Sequence, residues 1–187
     1  MIYSPTPCEE VLYKNSENNN RIVMGYFGSY NSSVRDIMPL YKAVKKNDNV
    51  FLYIVGDSDV VLSSEKNIEV IPRISASQLK DFYNKCNVIV DLTNNRGAQI
   101  PAKIFRDAGT NREVLLLCDG VAGQEVKDCF EHFNRYTFCE NTEEQIAKTL
   151  DEYIKNGVPS REPLNAFLYN VVSEELLEPY ELNGEKR

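Results

Sequence analysis

From residue 21 onward, two rhythms alternate along the chain. Continuous apolar runs recur at 21–27 (RIVMGYF), 50–55 (VFLYIV), 88–92 (VIVDL) and 113–117 (EVLLL), with weaker ones at 69–71 and 136–139. Short runs of this kind predict strands buried on both faces. Helical spacing separates them. Ile37, Leu40, Tyr41 and Val44 fall at i, i+3, i+4 and i+7, and Leu79, Phe82, Tyr83 and Cys86 form a second stripe. The first helix begins at Ser33, three residues before Asp36, or at Asp36 itself, which sets Pro39 in a tolerated first turn. Ser75 with Gln78, and Thr142 with Gln145, read as capping boxes, and Gly157 closes the helix that carries Ile146, Leu150, Tyr153 and Ile154. Short helices are expected at about 101–107 and 125–133. Beyond Pro159, the residues Leu164, Phe167, Leu168, Val171 and Val172 predict one more amphipathic helix.

Strands alternating with helices predict an α/β fold, a doubly wound parallel sheet in three layers, Rossmann-like, with a C-terminal amphipathic helix. Residues 1–20, with Pro5, Pro7 and an Asn-rich patch, read as a linker or extended arm rather than a core element. The domain proper covers 21–157, and a helix and tail cover 158–187. In such sheets ligands bind beyond the carboxyl ends of the strands, where strand order reverses. That brings together the loops after the first and fourth strands, at 28–33 and 93–99.

Composition narrows the partners. The 187 residues carry a net charge of −7, which argues against a general nucleic-acid binder while leaving room for a small anion held by two or three local cations. No apolar run approaches the length of a membrane span, and the start lacks the basic and apolar regions of a signal peptide. Five cysteines without C-x-x-C spacing suit buried free thiols in a reducing compartment, and a single histidine, His132, excludes a multi-histidine metal site.

Candidate chemistry gathers on the two loops. Gly28 lets backbone N–H groups approach a ligand just before a predicted helix start. G-x-G-x-x-G and the Lys-Ser/Thr ending of a P-loop are both absent. Lys103 is expected near the start of the helix after the second loop. A cation there opposes the helix dipole, and the tension relaxes if an anion binds between them. Asp57 and Asp59, after the second strand, could hold a divalent cation or simply form a polar turn.

Four segments in order, GYFGSY, FLYIVGDSD, ISASQLKDFYNKCNVIVDLTNN and QIPAKIFRDAGTNREVLLL, resemble the C-terminal, nucleotide-sugar-binding domain of GT-B fold glycosyltransferases of the group-one superfamily. The resemblance implies that the donor diphosphate lies on Gly28 and Ser29, assisted by Arg35, Asn95, Gln99 and Lys103. Arg35 matches a family lysine, and Ser29 stands where the family has an arginine. It also implies a nucleobase near the backbone of Arg73 and Ile74. Arg106 replaces the ribose-binding glutamate, and no carboxylate occupies 96–98 in place of its partner. The family works without a bound metal, so Asp57 and Asp59 become a turn, and no cofactor is expected besides the donor substrate.

The implied partners are a nucleoside-diphosphate sugar and an N-terminal acceptor-binding domain, in cis or in trans. The implied role is cell-envelope or capsular polysaccharide biosynthesis, in the cytoplasm at the inner face of the membrane. No catalytic residue is assigned, and the chain by itself is expected to transfer nothing. Two other readings stand beside this one. One is a degenerate Rossmann-like interaction module. The other is a metal-dependent GT-A type transferase using Asp57 and Asp59.

Overall fold

The computed structural model describes residues 5–14, 21–97 and 99–184, with side chains described as far as 176. Six strands form one parallel sheet: β1 (Ile22–Phe27), β2 (Val50–Val55), β3 (Ile68–Ile71), β4 (Val88–Leu92), β5 (Glu113–Cys118) and β6 (Tyr136–Glu140). Their order is β3-β2-β1-β4-β5-β6, so the chain reverses direction across the sheet between β1 and β4. The helices are α1 (Met38–Lys45), α2 (Ala76–Lys85), α3 (Ala102–Ala108), α4 (Gly120–Phe130), α5 (Glu143–Asn156) and α6 (Tyr169–Gly184). This is the expected doubly wound, three-layer arrangement.

The two faces of each strand explain its apolar run. Met24, Tyr26, Leu52, Ile54, Val88, Val90, Leu115 and Leu117 pack with Leu40 and Val44 of α1 and with Ile146 and Leu150 of α5. On the opposite face, Val23, Phe27, Val55 and Ile89 meet Tyr83 of α2 and Cys86 just beyond it. Further along that face, Val114 and Leu116 meet Ile104 and Phe105 of α3 and Phe130 of α4. Each fully buried aliphatic or aromatic side chain contributes about 1.5–3 kcal/mol of transfer free energy.

Caps set the helix boundaries. Ser75 and Gln78 form a reciprocal capping box, and Thr142 Oγ1 accepts from the N–H of Gln145. Asp36 Oδ1 accepts from the N–H of Met38, and Pro39 lies in the first turn of α1. The helix expected at 125–133 begins earlier, at Gly120, and ends in a 3-10 turn.

Two peripheral segments differ from expectation. The apolar stripe after Pro159 is divided: the buried Phe167 closes a 3-10 turn, and helix α6 starts only at Tyr169. Residues 5–14 are extended, yet they include a core residue. Cys8 is 3% exposed among Phe105, Phe130 and Phe167, with its N–H bonded to Phe167 O at 2.8 Å. Val11 N–H binds Gly109 O, Tyr13 and Asn111 exchange two hydrogen bonds, and the Tyr13 ring stacks on Tyr83 at 5.3 Å. These partners lie 70 to 159 positions away, so local pattern could not announce them. The rest of the expected arm, residues 1–4 and 15–20, lies outside the described residues.

Candidate functional site

β1 and β4 end side by side, and their following loops share the carboxyl edge of the sheet. Gly28 N–H is tied to Val55 O, and Tyr30 N–H to Asp57 O. The first loop thereby lies against the end of β2. Gly56 permits this approach, since a Cβ there would fall 2.1 Å from Gly28 O. Of the two helix starts expected after Gly28, at Ser33 and at Asp36, the later one agrees with the structure. α1 begins at Met38, and the Asp36 carboxylate already occupies one of its free amides.

The second loop is stitched to the first. Asn95 N–H bonds Val34 O at 2.8 Å, and Arg35 Nε donates to Asn94 Oδ1 at 2.8 Å. Asn94 Nδ2 in turn donates to Gln99 O. Arg35 thus holds the loops together with one of its nitrogens. Ser29 and Gln99 are exposed at the rim, and Ala98 lies outside the described residues.

Lys103 is the residue that the fold carries into this edge. It is second in α3, and a Cβ built on Gly28 would sit 3.9 Å from both its Cδ and its Nζ. Its Nζ lies 3.9 Å from the centre of the Tyr26 ring and 3.1 Å from Asp91 Oδ1. Its side chain is 11% exposed, so it is neither a solvated surface lysine nor an unpaired cation opposing the α3 dipole.

Asp91 was not among the expected site residues. It sits on β4 at 1% exposure, and neither carboxylate oxygen makes a well-oriented hydrogen bond. Burial raises its carboxyl to about 6, with the Lys103 charge pulling downward and Asp107 pushing upward. The signal was available: VIVDL places a carboxylate inside an otherwise apolar strand, where Asp is almost never found unpaired.

Arg106 is half-exposed and bound to its chain neighbour. Nε and Nη2 reach the two oxygens of Asp107 at 2.8 and 3.1 Å, and Nη2 also reaches Tyr83 OH at 2.6 Å. Burial opposes the Arg106 charge, but the Asp107 carboxylate outweighs it and raises the pKa. Tyr83 OH donates to Asp107 Oδ1 at 2.8 Å, and its own pKa is raised by burial and by that carboxylate. Beside this network, a cavity of about 580 Å³ opens between α2, α3 and the arm. Ala76, Leu79, Tyr83, Lys103, Arg106 and Tyr13 line part of it.

Arg73 and Ile74 lie between β3 and the start of α2. Arg73 is exposed, with Nη1 3.9 Å from Asp57 Oδ2, and Ile74 packs at the margin of the core. Asp59 instead accepts from the N–H and Oγ of Ser32, and the backbone bond lowers its pKa first. Asp57 and Asp59 therefore serve different partners. Among the described residues no group of three metal-ligating side chains occurs.

At the level of sequence, no family model and no curated protein matches the chain. In structure it is similar to HepE from Anabaena, solved in complex with UDP and glucose (TM-score 0.64, 13% identity, covering 87% of this chain and 49% of HepE). It is similar to WaaB, a lipopolysaccharide outer core galactosyltransferase (TM-score 0.68, 10% identity, 97% of this chain and 55% of WaaB). It is also similar to the C-terminal domain of LpcC, a group 1 glycosyltransferase from Francisella tularensis (TM-score 0.51, 14% identity, 89% of this chain and 95% of that domain). UDP-N-acetylglucosamine 2-epimerases share the same fold. The chain spans about half the length of HepE and WaaB. It has the Rossmann-like fold of a GT-B glycosyltransferase-like domain. Among the described residues no helix is long and apolar enough to cross a membrane.

Proposed function

We propose that the chain is the donor-binding half of a GT-B type sugar transferase, taking a nucleoside-diphosphate sugar at the carboxyl edge between β1 and β4. The observation that carries this reading is the Lys103 ammonium, brought beside Gly28 at the point where strand order reverses. The diphosphate lies against Gly28, Ser29 and Lys103, with Arg35, Asn95 and Gln99 organising the two loops. The nucleoside extends past Arg73 and Ile74 into the cavity lined by Ala76, Leu79 and Arg106. UDP in the HepE complex is the model for the probe, and a uridine donor is the first to test.

In transfer, negative charge grows on the leaving diphosphate. A cation already in place stabilises it without reorganisation. The acceptor wall comes from an N-terminal domain, in cis or in trans, and the product belongs to a cell-envelope or capsular polysaccharide assembled in the cytoplasm. Half a cleft cannot hold donor and acceptor in one geometry, so the isolated chain binds donor and transfers nothing.

The likeness to UDP-N-acetylglucosamine 2-epimerases supports a second reading, a half-site for epimerisation of the same donor class. Calorimetry and thermal shift with UDP and UDP-glucose test the shared part, because a ligand that binds only the folded state raises its stability. Binding that Lys103→Ala abolishes supports the site. Equal binding by Lys103→Ala removes it, and absence of any nucleotide binding leaves the interaction-module reading.

A further inference from the structure

Asp91 and Lys103 form a buried ion pair with few other polar partners. A buried carboxylate normally collects two or more donors, because each bare lone pair in a low-dielectric interior is costly. Asp91 has one neighbour of opposite charge at 3.1 Å and no well-oriented hydrogen bond to either oxygen. Lys103 Nζ is likewise without a well-oriented acceptor, although it sits at the mouth of the candidate site beside Gly28. A buried charged pair with so few partners at a cleft edge is a candidate for a functional arrangement.

We propose that Asp91 is an internal counterion that occupies Lys103 in place of a bound diphosphate and must release it when the ligand enters. The inference rests on the donor-site reading above and names a residue that governs its affinity. While Asp91 is charged, an approaching phosphate meets a neutral pair. Once Asp91 is neutral, the phosphate meets a full cation. Asp91 acts only through Lys103 and is a positioning residue.

Protonation provides the release. The groups around the Asp91 carboxyl are Lys103, Arg106 and Asp107 from α3, Tyr83 from α2, Tyr26 beneath Lys103 from β1 and Tyr136 from β6. Lys103 is the neighbour that most strongly holds the carboxyl down. When a diphosphate draws the ammonium away, the Asp91 pKa climbs further and the carboxyl takes up a proton. Donor affinity therefore rises as pH falls from 8 towards 5.5. UDP-glucose is the right probe, since both its phosphates are esterified and stay ionised across that range.

The experiment is calorimetric titration of the full chain with UDP-glucose and with inorganic pyrophosphate at pH 7.5, for wild type, Asp91→Asn, Lys103→Met and the double variant. Asp91→Asn is expected to tighten both ligands at least ten-fold, equivalent to about 1.4 kcal/mol. The gain disappears in the Lys103→Met background, because the cation for which Asp91 and the phosphate compete is gone. Wild-type binding of UDP-glucose at pH 7, measured in buffers of different ionisation enthalpy, takes up close to one proton, and this readout needs no variant. Unchanged or weaker binding by Asp91→Asn, or wild-type binding without proton uptake, overturns the counterion. If Asp91→Asn tightens pyrophosphate while UDP-glucose binds none of the proteins, the counterion stands and the nucleotide-sugar reading falls. If neither ligand binds Asp91→Asn, both fall.

Discussion

Two fully buried carboxylates in this molecule are treated in opposite ways. Glu113, at the start of β5, accepts from Arg161 Nε at 2.5 Å and from Tyr153 OH at 3.0 Å, so both of its oxygens are satisfied. Arg161 also donates to Asn134 O and to Thr137 Oγ1. The result ties the segment after α5 to β5 and β6 at the amino edge of the sheet. Asp91, at the carboxyl end of β4, has a single lysine and no well-oriented bond. The same chemistry is a rivet in one place and an unmatched charge in the other. The difference agrees with the general Rossmann plan, in which ligands bind at the carboxyl edge and the amino edge has only to be stable.

The largest effect that separates the two is on stability. Arg161→Ala leaves Glu113 charged and buried beside Tyr153, which should cost about 3 kcal/mol. Urea unfolding should show a lower midpoint, with affinity for UDP-glucose unchanged. A loss of donor affinity as large as that of a carboxyl-edge variant would erase the distinction between the edges. Next in size is Lys103→Ala. It removes a charge-assisted contact of about 1.5–3 kcal/mol and should weaken UDP-glucose binding ten-fold or more in calorimetry.

Arg106→Ala tests an intermediate case. Half of that side chain is in solvent, but its loss leaves the buried Asp107 with Tyr83 alone, so the expected loss of stability is about 1–2 kcal/mol by thermal denaturation, below that of Arg161→Ala. A drop several times larger would place Arg106 with the amino-edge rivets. The smallest effect is a gain. Ser29 is exposed at the rim, where the resembling family carries an arginine, so Ser29→Arg should tighten UDP-glucose by a few-fold. No change would mean that Ser29 does not face the phosphates.

Much of this was readable from local pattern. Parallel strands covered on both faces must be apolar throughout, so VFLYIV and EVLLL announced themselves. The caps at Ser75 and Thr142 are contacts within four residues and need no tertiary information. The sequence shows Arg106 where the resembling family has a glutamate, but not its bidentate hold on Asp107 or its bond to Tyr83. That arrangement depends on α2 lying beside α3.

The chain's own periodicity determined the class of fold, the order of its elements and the adjacency of the loops after β1 and β4. Alternating apolar runs and helical stripes can be buried together in few ways. Tertiary structure alone decided that Cys8 enters the core and that Lys103 faces Asp91. Those outcomes depend on pairs of residues that meet only after β1 and β4 have paired and α3 has crossed behind them. The electrostatics of a buried charge depend on which groups surround it in space, and spacing along a sequence does not carry that information.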